Sequence, residues 1–224
     1  MPATESESKE KSKQSMAEQT GSVKSNKSLQ EVFSFFKTLA FLLAAAIVLR
    51  ASVVEAFKIP SGSMIPTLMV GDHILVSKLS YGIRLPLKIT TLFQYDLPQR
   101  GDVVVFTRPD DPTTLVDESK INIIKRTVGL PGDIVEVRGS KLYINNKLLS
   151  EDYARWDRGG VPEGNFGPEQ VPDDRVFLLG DNRDHSRDSR FWHDPFLPIS
   201  RIKGRALFIY WSWDSLSRIG NVIR

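Results

Sequence analysis

Polar residues fill the first thirty positions of the chain, an apolar block follows, and beyond Val54 the hydrophobic residues come in short runs punctuated by turns. Residues 1 to 30 are Ser, Lys, Glu and Gln with almost nothing to bury, so the cost of ordering them goes unrecovered and the pattern predicts a disordered tail. The block from Val32 to Val54 approaches the roughly 20 apolar residues that a spanning helix needs. Lys37 and Arg50 interrupt it and leave Thr38 to Leu49 without charge, a stretch that also fits a buried helix or the core of a cleaved signal. Both charges lie near the ends, where long side chains reach the head groups, and the preceding tail is long for a signal peptide. The expectation is therefore an uncleaved, single-pass transmembrane anchor over residues 31–55. Lys9, Lys11, Lys13, Lys24, Lys27 and Lys37, ahead of its charge-free part, keep the tail on the cytoplasmic side and put everything after it across the membrane.

The remainder, 56–224, reads as one mainly β domain. Three Gly-Asp pairs each lead into a short apolar run: GDHILV from 71, GDVVVF from 101 and GDIVEV from 132. Asn145-Asn146 stands between two strand-like runs in KLYINNKLL, and asparagine tolerates the positive φ of a two-residue hairpin turn. RVFLLG, ending at Gly180, and GRALFIYW, ending at Trp211, read as later strands, whereas Glu151 to Asp174 reads as an irregular excursion. No helical period follows the anchor, so the sheet is expected to be antiparallel. Tyr210, Trp211 and Trp213 suit either a membrane interface or the core, and the core is the expectation.

Charge narrows the partners. Thirty basic and 27 acidic residues, net +3 and spread along the chain, form no basic stripe, so nucleic acid is not expected. The chain has no cysteine, which removes thiolate nucleophiles and Cys-type zinc sites, and no metal-binding motif or glycine-rich phosphate loop occurs. No cofactor is expected, and catalysis must use other groups.

The candidate nucleophile is Ser63, in IPSGSMIPT directly after the apolar block. Pro60 and Pro66 restrict the backbone on either side and Gly62 allows close approach, although serine and glycine are equally ordinary turn residues. It is not a Gly-x-Ser-x-Gly elbow, since Ser61 and Ile65 occupy the glycine positions. Its base is either a histidine, His73, His185 or His193, or a lysine. In INIIKRTVG, strand alternation puts Lys125 on one face with Ile121 and Ile123, and burial of that face would favour the neutral amine that a general base requires. A lysine reaching out from a strand edge fits the same pattern. The charged stretch GDNRDHSRDSR, 180–190, reads as a solvated loop or as a support that brings Ser186 to the lysine and braces itself with Asp188 and Arg190.

Taken together, the runs IPSGSMIPTL, RGDVVVF, KRTVGLPGD and GDNRDHSRDSR, in this order after an N-terminal anchor, resemble the bacterial type I signal peptidases. These are membrane-anchored serine proteases that remove signal peptides from exported preproteins. The resemblance frames residues 57–192. It implies Ser63 as nucleophile, Lys125 as general base, Ser61 and the Ser63 N–H as oxyanion hole, Ser186 as a hydrogen-bond partner of the lysine, and Asp188 and Arg190 as supports. It further implies cleavage after small residues in an A-x-A pattern, a β-rich core with an apolar surface on the bilayer, and location at the inner membrane. The partners it implies are preprotein signal peptides and the lipid bilayer, with the enzyme acting as a monomer. Phe57, Ile59, Leu68 and Ile123 are candidates for the substrate subsites. His185, where the family commonly has asparagine, and FWHDPFLP depart from the pattern. Two rivals stand beside this reading: a histidine-dependent serine hydrolase and a non-catalytic, peptide-binding β domain. A penicillin-binding reading fails, because Ser200 to Lys203 is the only Ser-x-x-Lys of the folded part and neither partner motif exists.

Overall fold

The computed structural model describes residues 31–46, 53–84, 91–108, 121–159 and 164–224. The expected tail, 1–30, and residues 47–52 of the expected anchor lie outside them. Residues 31–46 form one helix, α1, which carries Phe33, Phe35, Phe41 and Leu42 exposed on its surface. At about 1.5 Å per residue it is about 24 Å long, short of the roughly 30 Å of a bilayer core. Among the described residues no helix is long and apolar enough to cross a membrane.

The second unit is built from antiparallel strands: β1 (Val54–Lys58), β2 (His73–Ser77), β3 (Gly82–Arg84), β4 (Thr91–Gln94), β5 (Val103–Thr107), β6 (Asn122–Gly129), β7 (Ile134–Arg138), β8 (Lys141–Ile144), β9 (Lys147–Leu148), β10 (Phe166–Gln170), β11 (Arg175–Leu179), β12 (Leu197–Pro198) and β13 (Ile202–Trp211). A seven-stranded sheet runs in the order β1-β2-β13-β5-β6-β11-β12, a four-stranded sheet in the order β10-β7-β8-β9, and β3 pairs with β4.

The three Gly-Asp pairs share one local device. Gly71, Gly101 and Gly132 sit at positive φ, 92°, 96° and 81°, which turns the chain into the strand that follows. Each following aspartate accepts a hydrogen bond from the backbone N–H three residues earlier: Met69 to Asp72 at 2.8 Å, Gln99 to Asp102 at 2.9 Å and Leu130 to Asp133 at 2.7 Å. The Asn145-Asn146 pair adopts φ of 52° and 64° and joins β8 to β9 as the hairpin reading anticipates.

Two expectations are corrected. The stretch from Glu151 to Asp174 is not wholly irregular, since it contains β10, the edge strand of the smaller sheet. Gly167 and Pro168 hide that strand from an alternation pattern, and an edge is where a sheet tolerates proline. Tyr210, Trp211 and Trp213 do not join the core: Trp213 is 72% exposed, and Leu216 and Val222 are exposed nearby in the chain. Trp211 still pairs with His73 of β2, but burial along β13 ends at Ile209, and Tyr210 and Trp211 lie beyond the cluster that takes in Ala206 and Ile209.

Three apolar clusters fill the interior. One, centred on Ile59, Met64, Leu68, Ile74, Val105, Ile124 and Ile209, lies beneath the turn that carries Ser63. A second joins β7 and β8 to Val128, Phe177 and Leu179, and a third is built on Val104, Phe106, Leu178 and Ile202.

Candidate active site

Ser63 sits in a single 3-10 turn, Gly62–Met64, immediately after β1. The fully buried Met64 side chain pins this turn to the first cluster, and Leu68 N–H donates to the Met64 carbonyl at 2.9 Å. From the other side Asn182 clamps the turn twice. Its N–H donates to the Ser63 carbonyl at 3.1 Å and its side-chain amide donates to the Gly62 carbonyl at 3.0 Å. Gly180 permits the approach, because a Cβ there would lie 2.5 Å from the Ser63 carbonyl oxygen and 2.2 Å from Ser186 Oγ.

Lys125 comes from β6, an interior strand between β5 and β11. Its Nζ lies 2.8 Å from Ser63 Oγ and 3.1 Å from the Ile124 carbonyl, and only 4% of the residue is exposed. Burial pushes the amine down from its ordinary 10.5 to about 8, against the opposing pull of the Asp188 and Asp181 charges. Neither carboxylate bonds it. Both are taken by arginines, so their charges offset only part of the loss of water at the lysine.

The surrounding polar groups are tightly paired. Arg126 Nε and Nη2 donate to the two oxygens of Asp181 at 2.8 and 2.6 Å, and Thr67 Oγ1 donates to the same carboxylate at 2.5 Å. Arg190 donates to Asp188 through Nε at 2.8 Å and Nη2 at 3.0 Å, while Asp188 also accepts from Gly180 N–H at 3.0 Å. Arg183 makes a third pair, with Glu151, at 2.6 and 2.7 Å.

Of the residues singled out in the sequence, the fold brings Ser63 and Lys125 into contact and closes Asp188 onto Arg190. Ser61 is exposed at the start of the turn and lines the same cavities as Ser63. Ser186 differs from its expected place: its Oγ is buried but has no hydrogen-bond partner among the described residues, so the expected bond to Lys125 is not formed. His73 on β2 meets Tyr210 on β13, at 3.4 Å. His185 lines a cavity with Ser63 without bonding it, and His193 is exposed.

Asn182, the Arg126–Asp181 pair and Thr67 went unremarked in the sequence. Arg126 adjoins Lys125, and Asp181 and Asn182 lie in the charged stretch 180–190, so a charged side chain next to a buried lysine was the available signal. Glu151 carried none.

Two cavities meet at Ser63 and Lys125. A small one of about 50 Å³ is lined by Phe57, Ile59, Ile74, Val105 and Ile123, and a larger one of about 390 Å³ carries Asn182, His185, Arg108 and Arg187 beside Ile123. Leu68, a candidate subsite residue, lies wholly in the core and lines neither.

Residues 32–211 match the family described as "Signal peptidase, peptidase S26". The chain is similar to a signal peptidase I of Pseudomonas aeruginosa, 39% identical over 226 residues that cover 85% of this chain and 76% of the relative. It is 40% identical over 229 residues to a signal peptidase I of Pseudomonas fluorescens, with the same two coverages. With a signal peptidase I of Leptolyngbya laminosa it shares 37% identity over 188 residues, 82% of each chain.

Proposed function

The chain belongs to the signal peptidase family, peptidase S26, a family of serine endopeptidases, and on that premise we propose that Ser63 and Lys125 form the dyad with which it cuts signal peptides from preproteins. The observation that carries this reading is the buried, carboxylate-free contact of 2.8 Å between Lys125 Nζ and Ser63 Oγ.

In its neutral form the lysine lone pair accepts the Ser63 hydroxyl proton as Oγ attacks the scissile carbonyl. The carbonyl oxygen becomes an oxyanion, to which the Ser63 N–H and the Ser61 hydroxyl donate, each good donor lowering the barrier by about 3–4 kcal/mol. The lysine ammonium then returns its proton to the departing amine, leaving an ester on Ser63. Water attacks that ester, gives its proton to Lys125, and the tetrahedral intermediate collapses to free acid and serine. Asn182 holds the turn in register throughout, and the arginine pairs occupy Asp181 and Asp188, so that neither carboxylate forms an ion pair that would hold the lysine as an ammonium. The small apolar cavity suits the short side chains of an A-x-A site.

The anchor is part of the same reading: the chain crosses the membrane once ahead of Val54, where β1 begins two residues inside the expected 31–55, with the N-terminus cytoplasmic and the catalytic unit outside. The charge-free stretch Thr38 to Leu49 and the exposed Trp211, Trp213, Leu216 and Val222 support a catalytic unit that works against the bilayer.

The test is cleavage of a preprotein with an A-x-A site, in detergent, by the wild type, Ser63→Ala, Lys125→Ala and a triple His73, His185, His193→Ala variant, each checked for folding by circular dichroism. The expected result is loss of activity by orders of magnitude in the first two and retention in the third. Loss confined to the histidine variant would move the base to histidine, and an inert wild type would favour the peptide-binding rival.

A further inference from the structure

The larger cavity at the dyad has a wall of one charge sign. Beside Ser61, Ser63 and Lys125 it is bounded by Arg108, His185 and Arg187, and among the described residues no carboxylate lines it. Arg187 and His185 are exposed at its rim. Among the described residues, Asp181 and Asp188 are closed in their arginine pairs, and Asp184 accepts from Arg158 N–H at 2.6 Å through one oxygen while its other oxygen has no hydrogen-bond partner there. Asp157, 3.9 Å from His185 Nε2, is itself held by Arg155 at 2.5 Å.

The two cavities share Ser61, Ser63, Ile123 and Lys125, and the proposed cleavage pattern divides a substrate between them. The acyl half stays on Ser63 Oγ, with its small side chains assigned to the apolar cavity. The leaving half begins at the nitrogen that Lys125 protonates, which leaves the larger cavity for it. We propose that this cavity receives the first residues of the mature protein and that Arg187, with Arg108 and His185, makes the enzyme prefer preproteins with acidic side chains there. The inference rests on the peptidase reading. Arg187 is then a specificity-determining residue of this enzyme, acting through charge in a partly enclosed cleft where fields are focused.

The experiment uses the full chain in detergent and three preproteins with the same signal and A-x-A site. They carry Asp-Asp, Asn-Asn or Lys-Lys at the second and third positions after the bond. For the wild type at low salt, kcat/KM is expected to fall in that order, with about a tenfold span between Asp-Asp and Lys-Lys that shrinks in 1 M salt. Arg187→Glu is expected to reverse the order, and Arg187→Gln to reduce the span. Because the readout is a ratio between substrates for one enzyme preparation, partial loss of folded variant does not affect it. Equal rates on all three substrates, or an order that Arg187→Glu leaves intact, overturn the assignment while the peptidase reading stands. Absence of cleavage of any of them by the wild type overturns that reading and this inference with it.

Discussion

Lys125 and Arg126 are neighbours on β6 and both are buried, at 4% and 0% exposure, yet the two sides of the strand treat their charges in opposite ways. On the Arg126 side the guanidinium meets Asp181 through two bonds, donates to the Gly101 carbonyl at 2.7 Å and stacks 3.8 Å over the Tyr153 ring. On the Lys125 side the amine finds a serine hydroxyl and one backbone carbonyl. The paired region holds segments together; the unpaired region gives up its proton more readily, at about pH 8, and gains a base. A buried cation is thus structural or chemical according to whether a carboxylate reaches it.

The largest effect should come from giving the dyad pocket the chemistry of its neighbour. Lys125→Arg keeps a cation that does not deprotonate, and kcat/KM on a preprotein should fall about 10³- to 10⁴-fold with the fold intact, as steady-state kinetics and thermal unfolding would show. Wild-type-like turnover would mean that Lys125 is not the base.

The next is a contrast in stability between adjacent positions. Arg126→Met strands Asp181 in the interior and should cost about 3–5 kcal/mol in denaturant unfolding. Lys125→Met should instead stabilise the protein at pH 7, by about 1–3 kcal/mol. The sign follows from linkage: between pH 8 and 10.5 the unfolded chain holds a proton at this lysine that the folded chain has released. Stability from this group therefore rises with pH across that window and is lowest below it. Equal losses in the two variants would erase the distinction between the regions.

The same depressed amine predicts the pH profile. The base must be neutral, so kcat/KM should rise about tenfold from pH 6 to 7 and level off above about pH 8. A flat profile from pH 6 to 9 would contradict a buried lysine whose loss of water is only partly offset.

Smaller effects belong to the groups joining the two regions. Asn182→Ala removes the side-chain bond to the Gly62 carbonyl and should cost about 1 kcal/mol of stability and a several-fold drop in kcat at nearly constant KM. Ser186→Ala deletes a buried hydroxyl without a partner and should change unfolding free energy by less than about 0.5 kcal/mol. A kcat loss on that silent background would indicate that Ser186 bonds the lysine only once substrate is bound.

Much of the β unit was legible because its turns carry chemistry that acts locally. Gly71, Gly101 and Gly132 must go to positive φ, and the aspartate after each closes its turn within three residues. The two asparagines before Lys147 do the same for a hairpin. β10 was illegible because its Gly-Pro sequence reads as a breaker and an edge strand need not alternate. The exposure of Trp211 and Trp213 was illegible because it depends on where neighbouring strands stop.

At the site, Ser63 and Lys125 could be marked singly, one by a rigid turn and the other by its place among isoleucines. That they meet across 62 positions of sequence depends on β6 lying inside the sheet and on Asn182 closing over the turn. The pairing of Asp181 with Arg126, and of Arg183 with Glu151, was out of reach, since the loop of 180–190 offers several arginines and aspartates of equal claim. Sequence by itself determined the short-range features: the turns, the strand runs, the candidate serine and lysine, and the apolar block near the N-terminus. Tertiary structure alone decided which buried charges are neutralised and which one is left without a counter-ion, because desolvation and pairing are properties of neighbours brought together from distant parts of the chain.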